Sequence, residues 1–367
     1  MKQGKTLTEL ATEVERQANA KKDALVQTTS LSLNTNGHSL LWLGGTEPFD
    51  MQPLAHRQMG EHLGIPTKWY DAMQGHVAEW RTADGGNLFD TTVNTLLRSR
   101  PDNERRLVRT LDGNARAFLS DKYRPIDHLP ILMSILPVLQ EETGIDWPNT
   151  SLEITDSRLY LQVVNKDLQA DIIPGTHNRT DVVSAGVVIT NSETGLGAFR
   201  VQPMLFRLVC TNGLIITEQA KAKYHVGGVL GGDDGSAYQW LADDTIAARS
   251  AATVKEMRDV VRSALNDVIF QRAVDSARLA AGVKMEGDPI KAVEWVTDKF
   301  ILNTDEQAGV LRNLIEGHDL SLWGMVNAVT ATANAAPSYD RAVELEAIGG
   351  KLMALPAPDL RVLAHAA

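Results

Sequence analysis

The spacing of apolar residues changes period along this chain. Residues 5 to 26 place Leu7, Leu10 and Val14 at helical steps, which predicts an exposed helix or arm. QTTSLSLNTNGHSLLWLGG then alternates like two strands around Asn36-Gly37, a two-residue hairpin signal. From Pro53, PLAHRQMGEHLGIPTKWYDAM reads as a helix, a break at Gly64 and a second helix opening at Pro66. That outline suits a helix-turn-helix. Lys68, however, is the only cation near the start of the second helix, where base-reading residues would sit, so the pair is expected to be plain structure.

Residues 105 to 225 are the strand-rich part. LYLQVV (Leu159 to Val164) and VVSAGVVIT (Val182 to Thr190) are runs of strand length bounded by polar residues and glycine. Asp127 to Glu142 reads as a helix between strands. From Ala242 onward apolar residues recur at three and four residue steps up to Gly282, and further helices open after Asp288-Pro289 and Thr304-Asp305-Glu306. The expected class is α+β, a central antiparallel sheet with packed helices and then a mostly helical region. The expected division is 1–90, 91–240 and 241–367.

MLFRLVCTNGLIIT, Met204 to Thr217, is ambiguous. As a helix it has Pro203 in the first turn, Arg207 and Thr211 on one side, and Gly213 in the cap position. As a hairpin, Asn212-Gly213 would set Arg207 opposite Glu218. The helix is favoured, because its two interior polar residues fall on one stripe. Arg207 stays charged, so if buried it needs an anion, with Glu193, Glu218 or a phosphate as candidates.

Charge narrows the function classes. A net charge of -10 argues against a protein that coats nucleic acid with its whole surface. Any polyanion site must be local, and one stretch qualifies. From Arg98 to Arg124 there are eight Lys or Arg (Arg98, Arg100, Arg105, Arg106, Arg109, Arg116, Lys122, Arg124) against four acids, a local +4. Within it, Asp112-Gly113 is a two-residue turn signature. That turn would set Leu111 opposite Asn114, Thr110 opposite Ala115, Arg109 opposite Arg116 and Leu107 opposite Phe118. Val108, Thr110, Ala115 and Ala117 would then lie against a helix, and Leu107, Arg109, Arg116 and Phe118 on the other face. Two arginines directly across a ladder repel each other unless an anion lies between them. Phe118 and Tyr123 among the cations suit base stacking. Arg200, Arg207, Lys221, Lys223 and Tyr224 form a second cluster that meets only Glu218 locally.

Familiar enzyme signatures are missing. The nine histidines include no HExxH, and the single cysteine, Cys210, excludes cysteine-based zinc sites and points to a reducing compartment. There is no GxSxG elbow, and HVGGVLGGDDGS at 225–236 lacks phosphate-loop spacing. Glu193 in the NSETG turn is expected to orient an arginine rather than act as a base. No catalytic residue, metal or cofactor is expected. With no signal peptide and no apolar run of spanning length, the expected location is the cytoplasm.

LDGNARAFLSDKYRPIDH, VVSAGVVITNSETGLGAF, MLFRLVCTNGLI and SLWGMVNAVTATANAAPSYDRAVELEAIGG together resemble the phage- and plasmid-borne family built on the domain of unknown function numbered 932. That resemblance implies a phage or plasmid origin and no established activity. The order of elements, a basic hairpin, a helix and further antiparallel strands, is also similar to the strand-annealing recombinase superfamily of Redβ, Erf and the eukaryotic annealing ring protein. That second likeness implies a homo-oligomeric ring or filament that holds single-stranded DNA, with a nuclease or host single-strand-binding protein as possible partner. The expectation is therefore single-stranded DNA binding and annealing through the cations of both clusters, with Phe118 and Tyr123 on sugars or bases. The alternatives are an accessory protein that binds host proteins, or a helix-turn-helix binder of duplex DNA.

Overall fold

A computed structural model describes residues 5–35, 40–43, 47–141, 144–147, 150–173, 181–208, 212–216, 221–223 and 243–366. The chain runs α1 (Leu7–Ala20), β1 (Ala24–Gln27), β2 (Ser32–Asn34), β3 (Leu40–Trp42), β4 (Phe49–Met51), α2 (Pro53–Leu63), α3 (Thr67–Gly75), α4 (Leu88–Arg98), β5 (Arg105–Leu111) and β6 (Asn114–Ser120). It continues through α5 (His128–Glu141), β7 (Ser151–Ile154), β8 (Arg158–Asp171), β9 (Val182–Ser192), β10 (Phe199–Arg207), β11 (Asn212–Ile215) and β12 (Lys221–Lys223). Helices α6 (Asp243–Ala264), α7 (Asp267–Gly282), α8 (Pro289–Phe300), α9 (Thr304–Gly317), α10 (Leu322–Thr332), α11 (Tyr339–Met353) and α12 (Ala357–Ala364) complete it. The class is α+β, as the pattern predicts, but it holds two sheets rather than one.

The first sheet has the order β1-β5-β6-β4-β3-β2, with only β4 and β6 parallel. The boundary expected at residue 90 runs through this sheet, because the hairpin β5–β6 pairs with β1 on one side and β4 on the other. Leu33, Leu41, Val108 and Phe118 pack on Met59, Tyr70, Phe89, Val93 and Leu97 from α2, α3 and α4. The two helices after Pro53 form with Gly64 between them, and their packing is tight: the Tyr70 hydroxyl meets His56 Nδ1 at 2.8 Å. Strands β2 and β3 pair, while the Asn36-Gly37 turn between them lies outside the described residues.

The second sheet has the order β11-β10-β9-β8-β7, with β12 also on β10. One end of its inner face carries α1, α5 and α6 and the other end carries α7 and the helices packed around it, while Val343 and Ala347 of α11 cover Val188, Met204 and Phe206 on the outer face. The N-terminal segment is therefore not an exposed arm. Thr6 and Glu9 form a capping box, and Leu10 and Val14 are buried against α5 and the sheet. The single helical run expected to reach Gly282 divides into α6 and α7, because the Asn266 side chain accepts the Val268 N–H at 2.9 Å and starts a new helix. Helix α8 opens at Asp288-Pro289 as expected, and α9 opens at the Asn303 cap, so Thr304, Asp305 and Glu306 form its first turn rather than precede it.

The ambiguous stretch is a strand, not a helix. Arg207 lies in β10, opposite Val183 of β9 and Asn212 of β11, so Asn212-Gly213 is neither a helix stop nor a turn. Both faces of β10 are buried, so its apolar run has no period from which to tell a strand from a helix. Pro203 falls between the β10 segments paired with β12 and β11, where its missing N–H disrupts little of the ladder. Cys210, Glu218, Tyr224 and the glycine-rich 225–236 lie outside the described residues. No helix among the described residues is long and apolar enough to cross a membrane.

Candidate functional site

The Asp112-Gly113 turn forms as expected, with both residues at positive φ (48° and 80°). The register holds through Leu111–Asn114 and Thr110–Ala115 and departs beyond them. Thr110 pairs with Ala115, but a bulge then sets Arg109 opposite Ala117 and Val108 opposite Phe118, with Arg116 as the extra residue. A bulge re-aims side chains. Phe118 therefore joins Val108 in the first core, 1% exposed, and is no base-stacking platform.

Arg109 and Arg116 are not on an open face either; they are 0% and 3% exposed. An anion does lie between them, but it belongs to the chain. Arg116 Nη2 donates to Glu193 Oε2 at 2.6 Å, and Arg109 Nη1 donates to the Glu193 carbonyl at 2.9 Å. Arg109 also donates to Asp23 Oδ2 at 2.8 Å and Asp127 Oδ1 at 2.7 Å. Lys21 Nζ reaches Glu193 Oε1 at 2.7 Å, and the His128 backbone N–H donates to the same oxygen at 2.8 Å. Three cations thus meet three carboxylates, drawn from the end of α1, the start of β1, the hairpin, the start of α5 and the end of β9. Charge balance of this kind is what burial demands.

Burial alone would keep Glu193 protonated, but the positive groups beside it, His128 once protonated in acid and Lys21, Arg116 and Arg109 throughout, outweigh it and hold the carboxyl well below its ordinary range. Burial pushes His128 down to about 4, so its ring is neutral near pH 7; Asn191 Nδ2 lies 3.0 Å from its Nδ1. Burial raises the Tyr123 hydroxyl, which donates to the Ser192 carbonyl at 3.3 Å. Tyr123 lines the cluster and is half-buried. Glu193 does orient an arginine, Arg116, as NSETG suggests. Arg207 meets Asp181, whose other oxygen accepts Trp323 Nε1 at 2.6 Å; Glu218, the other carboxylate expected beside it, lies outside the described residues. The Arg109, Arg116 and Glu193 side chains are closed to solvent, while Asp23 and Asp127 keep partial exposure at the rim. The cluster ties the first sheet to the second.

The remaining cations separate from it. Arg98 and Arg105 are exposed, as is Lys122. Arg100 Nη2 donates to the His62 carbonyl at 2.6 Å, and Arg124 Nη1 to the Asp121 carbonyl at 2.7 Å. Arg106 lies over the Phe118 ring at 5.0 Å; burial lowers its pKa, and the Arg100 charge acts in the same direction against Glu104 and Asp121. Because Arg106 pairs with Ser120 in the ladder, Arg105, Arg106 and Lys122 sit together at the end of the hairpin away from its turn. Arg200 is half-buried on β10; Lys221 and Lys223 are placed only as backbone of β12. Among the described residues no group of three or more His, Cys, Asp or Glu could hold a metal ion.

Residues 116–228, which hold Arg116, Asp127, His128, Glu193 and Arg207, match the family model of a domain of unknown function, DUF932. This segment is similar to that family's domain. The match excludes residues 321–350, the fourth stretch that prompted the resemblance. Neither a search of curated proteins nor one of solved structures returns a match. The ion cluster thus lies only partly within the matched segment, since Lys21, Asp23 and Arg109 come from the preceding chain. Sequence reasoning missed Lys21, Asp23, Asp127 and His128. The available signal was charge placed inside apolar strands at Arg109, Arg116 and Glu193, which calls for buried partners without naming them.

Proposed function

We propose that the protein binds single-stranded nucleic acid without catalysing a reaction, through the open end of the hairpin rather than its turn. The observation that carries this reading is the segregation of the cations. Arg109 and Arg116 are neutralised internally, whereas Arg98, Arg105 and Lys122 are exposed and Arg106 has no carboxylate at ion-pair distance among the described residues. Annealing by a homo-oligomer of a phage or plasmid is the finer form of the same proposal. The test is the anisotropy of a labelled oligonucleotide across a salt series. Arg105→Ala/Lys122→Ala is expected to weaken binding and to reduce the log–log salt slope by about 0.7 per cation removed. Binding and slope equal to wild type would reject the site.

A second reading, an accessory protein for a host partner, has its own observation. Trp69 is 49% exposed and packs against Trp80 at 5.4 Å with a 34° tilt, and Trp80 in turn stacks on His76 at 4.8 Å. Exposed tryptophans are frequent anchors of protein interfaces. Loss of a captured host protein in Trp69→Ala, with oligonucleotide binding absent in wild type, would favour this reading.

A further inference from the structure

On the outer face of the second sheet, beneath α11, lies a cavity of about 50 Å³. Its lining includes Ser151, Tyr160, Gln162, Tyr339 and Glu346. Tyr160 and Tyr339 stack at 5.2 Å with 24° between their planes. Glu346 is 7% exposed, and the Gly213 N–H donates to its carboxyl. This is the role of the Asn212-Gly213 pair. A Cβ at Gly213 would stand 3.0 Å from Glu346 Oε1, so the missing side chain is what admits the carboxyl.

The neighbouring charges are spoken for, and Glu346 is not. Asp340 of α11 meets Arg158 of β8 and the Tyr160 hydroxyl; Glu153 of β7 meets Lys5; Glu344 and Glu306 share Arg341; Arg207 of β10 meets Asp181. Helix α10 brings no charge, and Lys351 of α11 is exposed. Among the described residues, no cation stands at ion-pair distance from Glu346.

We infer that this cavity is a site for one small monovalent cation, ammonium or the primary ammonium head of a small amine, held by the Glu346 carboxylate beside the hydroxyl of Ser151, the Gln162 amide and the Tyr160–Tyr339 rings. A single carboxylate matches one positive charge and leaves a divalent ion unmatched. Ring faces favour an ammonium group. The volume is that of very few water molecules, which excludes a bulky quaternary amine. Empty, the site keeps its acid protonated: burial pushes Glu346 up to about 8. Entry of the cation therefore expels the Glu346 proton to solvent, one charge for another.

The test is calorimetric titration of the full chain with ammonium, methylammonium, potassium and tetramethylammonium chlorides. At pH 7, in two buffers of different ionisation enthalpy, saturable binding of ammonium or methylammonium with release of about one proton is expected. Affinity should rise about tenfold per pH unit until Glu346 ionises. Glu346→Gln should abolish binding, and tetramethylammonium should not bind. Methylammonium binding identifies an amine head as ligand; ammonium binding alone identifies the free ion. No saturable heat from either, tighter binding of potassium or tetramethylammonium, or binding without proton release would each overturn the inference. Proton release is read on wild type, so the result does not depend on the variant folding.

Discussion

Glu193 and Glu346 are both buried, at 0% and 7% exposure, yet their protonation runs in opposite directions. Glu193 is surrounded by Lys21, Arg109 and Arg116, and its carboxylate is held ionised. Glu346 has backbone and neutral polar groups around it, and its proton is retained to about pH 8. The comparison teaches that burial sets the cost of charge, while the supply of counter-charge decides whether the charge persists. One region is a closed ionic joint, complete in itself. The other is a carboxyl short of a cation.

The largest expected effect breaks the joint. Arg109→Ala leaves Asp23 and Asp127 without their shared partner and should cost about 3–5 kcal/mol, read as a lowered urea midpoint. An unchanged midpoint would mean that the cluster does not hold the sheets together.

Next comes pH. His128 and His56 are each pushed down to about 4 by burial, from 6.5. Below pH 6.5 the unfolded chain binds more protons than the native one, so stability falls toward acid, by up to about 1.4 kcal/mol per unit for each histidine. Glu193, lowered from 4.5, adds to that loss below pH 4.5. Glu346 acts in the other sense. Raised from 4.5 to about 8, it binds a proton that the unfolded chain gives up, so its contribution declines as pH rises through that window. The two histidines outweigh it below 6.5, and it dominates above. Urea denaturation across pH should show a maximum near 6.5, and a flat profile would contradict both assignments.

Glu346→Gln sharpens the contrast. The amide needs no proton, so the alkaline decline should disappear and the variant should exceed wild type by about 4 kcal/mol at pH 8. The smallest effect is at the open end of the hairpin. Arg105→Ala/Lys122→Ala should change stability by less than about 0.5 kcal/mol per site, because exposed cations contribute little to folding. A larger loss would place these cations in the fold rather than in a binding surface.

How far the sequence could be read differs by region. Period-two alternation and the Asp112-Gly113 pair located the hairpin, and Asp288-Pro289 and the Thr304-Asp305-Glu306 run located α8 and α9, because these signals act within a few residues. The bulge at Arg116 left no such signal, and it reversed the face of Phe118. Arg207 was read into a helix because a strand buried on both faces shows no alternation.

By itself, then, the sequence determined the α+β class, the turn, the helix starts and the need for anions beside Arg109, Arg116 and Arg207. All of these depend on local sterics, local hydrogen bonds or the charge of one side chain. Only the tertiary structure decided which anions those were, that the first sheet recruits the hairpin, and that Glu346 meets Gly213 without a cation. Such pairings join residues far apart in the chain, and their energies exist only once the sheets and helices have closed around them.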